Sequence, residues 1–292
     1  MANDTSKVQL PKEVVTTLTS KVKDTSTIAA LSPSEPQKFT DKAYMVFTPT
    51  AEAEVVAEGA KKGSYEIDTE PIVAKRVKVV TTTRVSDELV WADEDNQLEI
   101  VTNIIADQTA AIGRALDYII YHAVEPKSGN ALSGYTSLVS GAQKVTASDS
   151  PVDDIDSLTD KLLDYSIDGF ALSPKFASDL RKLRVPATGQ RLYPEIPLSL
   201  QAGNIDGIRA AVSGTVNGRL AKTQTNVLGI MGDFDLIKWG MVRDMFAEVI
   251  KYGDPDGSGY DLKAYNQVAY RTEAMLGYAI IDAKGFAVLK SA

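Results

Sequence analysis

Lys75-Arg76-Val77-Lys78-Val79-Val80-Thr81-Thr82-Thr83-Arg84-Val85 runs through Trp91-Ala92-Asp93-Glu94-Asp95-Asn96 into an apolar-periodic stretch ending at Ala123. The first part alternates strictly. Val77, Val79, Thr81, Thr83 and Val85 fall on one face, and Lys78, Val80, Thr82 and Arg84 on the other, with the β-branched richness of a strand. Upstream, Val55-Val56-Ala57-Glu58-Gly59-Ala60-Lys61-Lys62-Gly63 reads as the outgoing limb and tip of a β-ribbon that returns along Lys75–Val85. Gly59 and Gly63 bracket the tip lysines. A two-stranded arm charged on both faces is marginal in water by itself, so it calls for another subunit to lie on.

Downstream, Asn96 and Glu99 have the spacing of a capping box, and Asp93, Glu94 and Asp95 suit the positive end of a helix dipole. Leu98, Val101, Ile105, Ile112, Ala115, Leu116 and Ile119 follow at helical spacing. A helix from Asn96 to Ala123 would be roughly 40 Å long, a spine that something must pack along.

Composition narrows the chemistry. The chain has 292 residues, no cysteine and a single histidine, His122. That removes disulfides, thiolate nucleophiles and multi-histidine zinc sites, and any Ser-His-Asp triad would have to use His122. Its position near the end of the expected helix reads instead as a helix-end or interface residue. The net charge of −8, from 31 basic and 39 acidic residues, argues against a clamp on nucleic acid. Lys75, Arg76 and Lys78 interleave with valine as a solvated strand face does. The first residues, Met1-Ala2-Asn3-Asp4, lack the basic and apolar regions of a signal peptide, and no apolar run spans a bilayer, so synthesis in the cytosol is expected.

Residues 1–43, rich in Ser, Thr, Lys and Pro, read as an arm ordered by partners, with a short helix starting at Pro11 and extended or turning backbone over Ser32–Pro36. Gly129–Pro151 reads as loop or short hairpin. Helices are expected through Ile155, Leu158, Leu162 and Leu163, and after Ser173-Pro174 through Phe176, Leu180 and Leu183. Gly169–Leu172, Val227–Met231, Met241–Lys251, Gln267–Ile281 and Phe286–Leu289 read as strands, and residues 185–226 as loop-rich.

This order of elements resembles the major capsid protein of tailed bacteriophages with the Hong Kong 97-type fold. The likeness runs from the arm through the ribbon with Val56-Ala57-Glu58-Gly59, the strand ending in Val85-Ser86-Asp87-Glu88-Leu89 and the spine helix. It continues through a central α/β part, Gly232-Asp233-Phe234 and a closing Arg271, Glu273, Gly277, Phe286-Ala287 strand pair. No single motif is specific; the ordered set, covering about residues 30–290, is.

The resemblance implies an α+β chain divided into an N-terminal arm (1–43), an extended β-ribbon loop (44–86) and a peripheral domain with the spine helix (87–150). An axial domain (151–230) and a return to the peripheral domain (231–292) would complete it. It implies self-assembly of identical subunits into hexamers and pentamers of an icosahedral shell. The shell would enclose packaged double-stranded DNA without sequence-specific binding, and the protein would be made in the host cytoplasm and located in the virion capsid. Loops within 185–220 would meet at the symmetry axes. Portal, scaffold and decoration proteins are the implied further partners; with so few residues before the ribbon, an attached scaffolding segment is not expected. No membrane contact, cofactor, metal or catalytic residue is implied. Assembly contacts are expected at Glu58, Gly59, Lys61, Lys62 and Gly63.

Some relatives join a ribbon lysine to a neighbour's asparagine with help from a glutamate. The matching residue types here are Lys61, Lys62, Asn266 and Glu273. Such a bond needs a deprotonated lysine, hence burial and a base; solvated lysines and an ordinary turn asparagine are the simpler reading.

Asp254–Asp261 departs from a calcium loop, with Tyr265 where the bidentate glutamate belongs. Gly257-Ser258-Gly259 lacks the third glycine of a dinucleotide fingerprint. Two other functions compete: an encapsulin-type nanocompartment that shares the fold, and a soluble carboxylate-dependent hydrolase using acids such as Asp153 and Asp154.

Overall fold

The computed structural model describes residues 26–36, 42–48, 53–56, 58, 61–62, 64, 68–96, 100–218 and 225–291. Among these residues the strands form three sheets: a two-stranded ribbon, a long three-stranded sheet and a six-stranded mixed sheet.

The ribbon differs from the sequence reading. Its limbs are β1 (Ala43–Thr48) and β2 (Asp68–Val73), antiparallel, with Ala43 opposite Val73. Pro71 fits because β2 has one partner strand only, and a missing N–H costs little on an unpaired edge. The alternating run forms β3 (Lys75–Ser86), which is not the return limb. It pairs along its whole length with β10 (Gln267–Ile280), which pairs in turn with β9 (Ile237–Ile250). Buried Ala74 separates β2 from β3, and its N–H donates to the Lys42 carbonyl at 2.9 Å, closing the ribbon's base. The alternation itself is met: Val77, Val79 and Val85 turn inward while Lys78 and Val80 stay exposed.

What covers the inner face is the long helix Ile100–Asp117. Ile112 and Ile105 pack with Val79 and Ala274, and Ile104 and Val101 pack with Val85 and Tyr270. Buried Gln108 locks the two layers. Its Nε2 donates to Thr83 Oγ1 at 2.9 Å and to the Tyr270 carbonyl at 2.8 Å, and Thr272 Oγ1 donates back to Oε1 at 2.6 Å. The helix is shorter than expected. A separate helix, Asp87–Asn96, precedes it. Ser86 Oγ accepts the Leu89 N–H there, with Asp87 and Glu88 in the first turn, so the N-terminal signal lies at Ser86. Asn96 ends that helix, and the rest of the expected capping box, residues 97–99, lies outside the described residues. A π-helical turn, Tyr118–His122, closes the long helix with Ala123 in the left-handed region at φ 52°.

The six-stranded sheet runs β4 (Gln143–Thr146), β11 (Phe286–Lys290), β8 (Val227–Gly232), β5 (Gly169–Leu172), β7 (Ile208–Val212), β6 (Asn204–Ile205). Period-two alternation places it between two cores. Phe286, Val288 and Ile230 face the end of the long helix with Ile119, Ile120 and Leu138. Ala287, Leu289 and Met231 face Leu158, Phe176 and Leu180 of the helices Pro151–Asp160 and Pro174–Lys182. Ser173 caps the second helix through the Phe176 N–H. The first ends at Asp160, so Leu163 lies outside it and is exposed. The Gly129–Pro151 region also holds the short helix Leu138–Gly141 besides β4, and the loop-rich region holds the β6–β7 hairpin.

The arm reading changes most. Residues 26–36 are seated on the chain's own core. Thr27–Leu31 is a short helix with Ile28 and Leu31 buried. Beyond it Ser34 bridges to Trp239, and the Glu35 N–H donates to the Trp239 carbonyl at 2.7 Å, extending the β9 edge. The short helix expected at Pro11 lies outside the described residues.

Candidate assembly sites

The expected contact residues lie between the ribbon's two limbs. Glu58, Lys61 and Lys62 are exposed there; Gly59 and Gly63 fall outside the described residues. The limbs leave apolar side chains uncovered, Met45 at 56% and Val73 at 50% exposure, although β1 alternates as a half-buried strand would.

Asn266 immediately precedes β10, and Glu273 lies within it. Asn266 caps the turn before it with φ 51°, is exposed, and accepts the Asp87 N–H through its carbonyl at 2.8 Å. Glu273 sits mid-strand opposite Val80, roughly 20 Å further along at about 3.3 Å per residue. It is already engaged, with Lys78 Nζ 2.7 Å from its Oε1. One subunit therefore does not bring the lysines, the asparagine and the glutamate together.

The glycine turn after β9 is held by a side chain that sequence reasoning missed. Arg84 reaches out of β3 to both Asp254 and Asp256, with Nε 2.9 Å from Asp256 Oδ2, and donates to the Tyr260 carbonyl at 2.9 Å. The guanidinium pulls the Asp256 carboxyl well below the usual carboxylate range. Asp254 also accepts the Gly259 N–H at 2.7 Å. The loop's cation is thus supplied by the protein. Arg84 stands two residues before the end of β3, and the acids it pairs with lie far along the chain, so nothing near it in sequence signals this pairing.

A second anchor is Asp117, fully buried at the end of the long helix. It accepts from the Ser26 and Thr215 hydroxyls, the Thr27 N–H at 2.9 Å, the Thr27 hydroxyl at 2.8 Å and the Ile28 N–H at 3.2 Å. Burial pushes its carboxyl above the ordinary value, and the donated bonds pull against that. His122 holds the same loop from the other side, with Nε2 3.0 Å from the Val216 carbonyl; burial lowers its pKa. The only histidine is a structural donor.

The acids that suggested a hydrolase do not converge. Asp153 is exposed, whereas Asp154 is buried and accepts the Ser148 N–H at 2.7 Å. Asp168, Asp233 and Asp235 do cluster, but Asp168 accepts the Phe234 N–H at 2.7 Å and pairs with Arg209, and Asp233 accepts the Asp235 N–H at 3.0 Å. The carboxylates of Asp168 and Asp233 are thus taken up by backbone N–H groups. Among the described residues no helix is long and apolar enough to cross a membrane.

A two-stranded ribbon, a long helix laid on a three-stranded sheet and a mixed sheet carrying two helices together define the Hong Kong 97-type capsid fold. A family model described as the phage capsid family matches residues 7–291, and the chain belongs to that family. It is similar to a solved chain from Mycobacterium phage Ogopogo, with 35% identity, 92% of each chain covered and a TM-score of 0.83. It is also similar to one from Gordonia phage Cozz, with 26% identity over 91% of this chain and 86% of that one and a TM-score of 0.78. The fold extends to a capsid of a native GTA particle at 15% identity, 92% and 90% coverage and a TM-score of 0.61. No curated protein matches. The chain is a major capsid protein, a structural protein of a phage shell.

Proposed function

We propose that this chain builds hexamers and pentamers of an icosahedral shell around double-stranded DNA, and that the β1–β2 ribbon is the clasp each subunit lays on its neighbour. The observation that carries this reading is the ribbon itself: two strands with one partner each and apolar side chains left uncovered. Such a hairpin gains its stability from what it lies on. On the same reading residues 1–43 are the arm, 44–86 the extended loop, 87–150 with 231–292 the peripheral domain, and 151–230 the axial domain. The net acidity suits a container that holds DNA by geometry rather than by grip.

Lys61 and Lys62 then serve as tip cations against the neighbour. A covalent bond from either to Asn266 would need an unpaired base, and Glu273 is held by Lys78. The chain's role is structural, without catalysis. Scaffold, portal and decoration proteins would add to the shell without altering the subunit's own contacts.

Electron microscopy of the purified chain tests the proposal. Shells tens of nanometres across are expected, and removing Glu58–Tyr65 should leave a folded, soluble subunit that no longer closes shells. Normal shells from the deletion would show that the ribbon tip has another role.

A further inference from the structure

Two patches of like charge lie around the six-stranded sheet. Asp153, Asp156 and Asp160 lie along one side of the helix Pro151–Asp160, with Asp164 continuing past its end, and all four are exposed. Lys161 is the one cation among them. The second patch follows β5. Lys175, Arg181 and Lys182 on the next helix are joined by Arg184 and Arg191, with Asp179 as the one acid, paired to Lys182 at 2.9 Å.

Arg184 and Arg191 stand directly opposite each other on a small antiparallel hairpin. It is closed by the Val185 N–H to the Gln190 carbonyl at 2.9 Å and the Leu192 N–H to the Leu183 carbonyl at 3.1 Å. Arg184 donates only to carbonyls, and Arg181 Nε is buried without a hydrogen-bond partner. Among the described residues no ion pair joins the acidic patch to the basic one.

Within each patch some like charges stand close together. Like charges four apart on a helix repel, as do like charges directly across a strand pair. Exposed leucines accompany both: Leu163 beside the acids, and Leu192 next to Arg191. Apolar side chains within a charged rim are the composition of an interface.

We propose that the Arg184–Arg191 hairpin of one copy docks on the Asp153–Asp164 side of the next, head to tail, and that this contact closes the capsomer ring. The proposal rests on the capsid reading and names the surfaces that reading leaves open. A ring of identical chains needs a heterologous contact made of two different patches. Opposite charge on the two sets the register and rejects like-to-like pairing.

A charge swap in the full chain tests it. Arg184→Glu with Arg191→Glu should lower shell yield about tenfold or more by electron microscopy and sedimentation, and so should Asp156→Arg with Asp160→Arg. Circular dichroism melting should show both subunits folded. The four substitutions together should restore yield to within about threefold of the parent. If the reversal impairs folding, Arg184→Gln with Arg191→Gln should still lower yield by about threefold. Parent-like yield from either reversal would overturn the proposal, as would a folded four-fold variant that stays unassembled. Normal shells that package less DNA would also overturn it by making DNA the partner. A parent chain that forms no shells would instead contradict the capsid reading.

Discussion

Two extensions leave the body of this subunit, and they are held in opposite ways. Residues 26–36 carry the small, polar composition of a free arm, yet Asp117 gathers their first turn through bonds from Ser26, Thr27 and Ile28, and β9 takes up Ser34 and Glu35. Ala43–Thr48 and Asp68–Val73 form strands, yet among the described residues they pair only with each other. Apparent disorder in sequence reflects missing local partners. A buried acceptor 90 residues away supplies them for the arm. The ribbon, beyond its base at Ala74 and the contacts of Lys42 and Tyr44 with Glu35, has its strand hydrogen bonds between its own two limbs.

Breaking the arm's anchor should have the largest effect. Asp117→Ala strands several buried donors, each costing about 1–3 kcal/mol. A loss of about 3 kcal/mol or more is expected, lowering the melting temperature by roughly 6–12 °C. A melt within a degree of the parent would show that the arm is not anchored there. A matched pair of truncations sharpens the contrast. Ile28→Ala should cost about 2–5 kcal/mol in the dissociated subunit, because Ile28 is fully buried. Met45→Ala on the ribbon should cost about 0.5 kcal/mol or less there and show its effect in shell yield instead. Equal costs in chemical denaturation would erase the distinction.

The smallest effect concerns Glu35, where arm and ribbon meet. It accepts from Lys42 at 3.0 Å and lies 3.2 Å from Lys238. The hydrogen bond from Lys42, with help from Lys238, holds its carboxyl below the ordinary value. A depressed carboxyl contributes stability above its unfolded pKa and loses it as pH falls through the folded one. Glu35→Gln should therefore cost under about 1 kcal/mol at neutral pH, and the difference from the parent should shrink as pH falls below the ordinary carboxylate value and vanish only below the depressed folded one. Asp117 has the opposite sign. Its raised pKa favours the folded state at low pH, and that contribution fades as pH rises through the folded value, so acid should spare the arm's anchor while it loosens the Glu35 contacts.

Much of the fold was legible because its signals are local. The alternation of Val77–Val85, the Ser173 cap and the apolar Gly169–Leu172 run each specify an element within a few residues. Pairing was not legible. β3 presents the same alternation whether it returns along the ribbon or lies against β10, and only the long helix and Gln108 decide between them. The true return limb, Asp68–Val73, was hidden by Pro71 and by acids that suit an edge strand poorly in pattern but well in a ribbon with one partner. Ser86 was overlooked as a cap because the acidic run up to Asn96 offered a stronger-looking start. Of the candidate site, the exposure of the tip lysines followed from flanking glycines. The commitment of Glu273 to Lys78 and of Asp254 and Asp256 to Arg84 depends on strands joined only in three dimensions.

Hydrogen exchange compared between dissociated subunits and closed shells tests the central claim most directly. Amides of residues 27–31 should be protected in both states, whereas those of 43–48 and 68–73 should exchange quickly in the subunit and become protected on assembly. Ribbon exchange that does not change on assembly, or arm protection that appears only in the shell, would contradict the account.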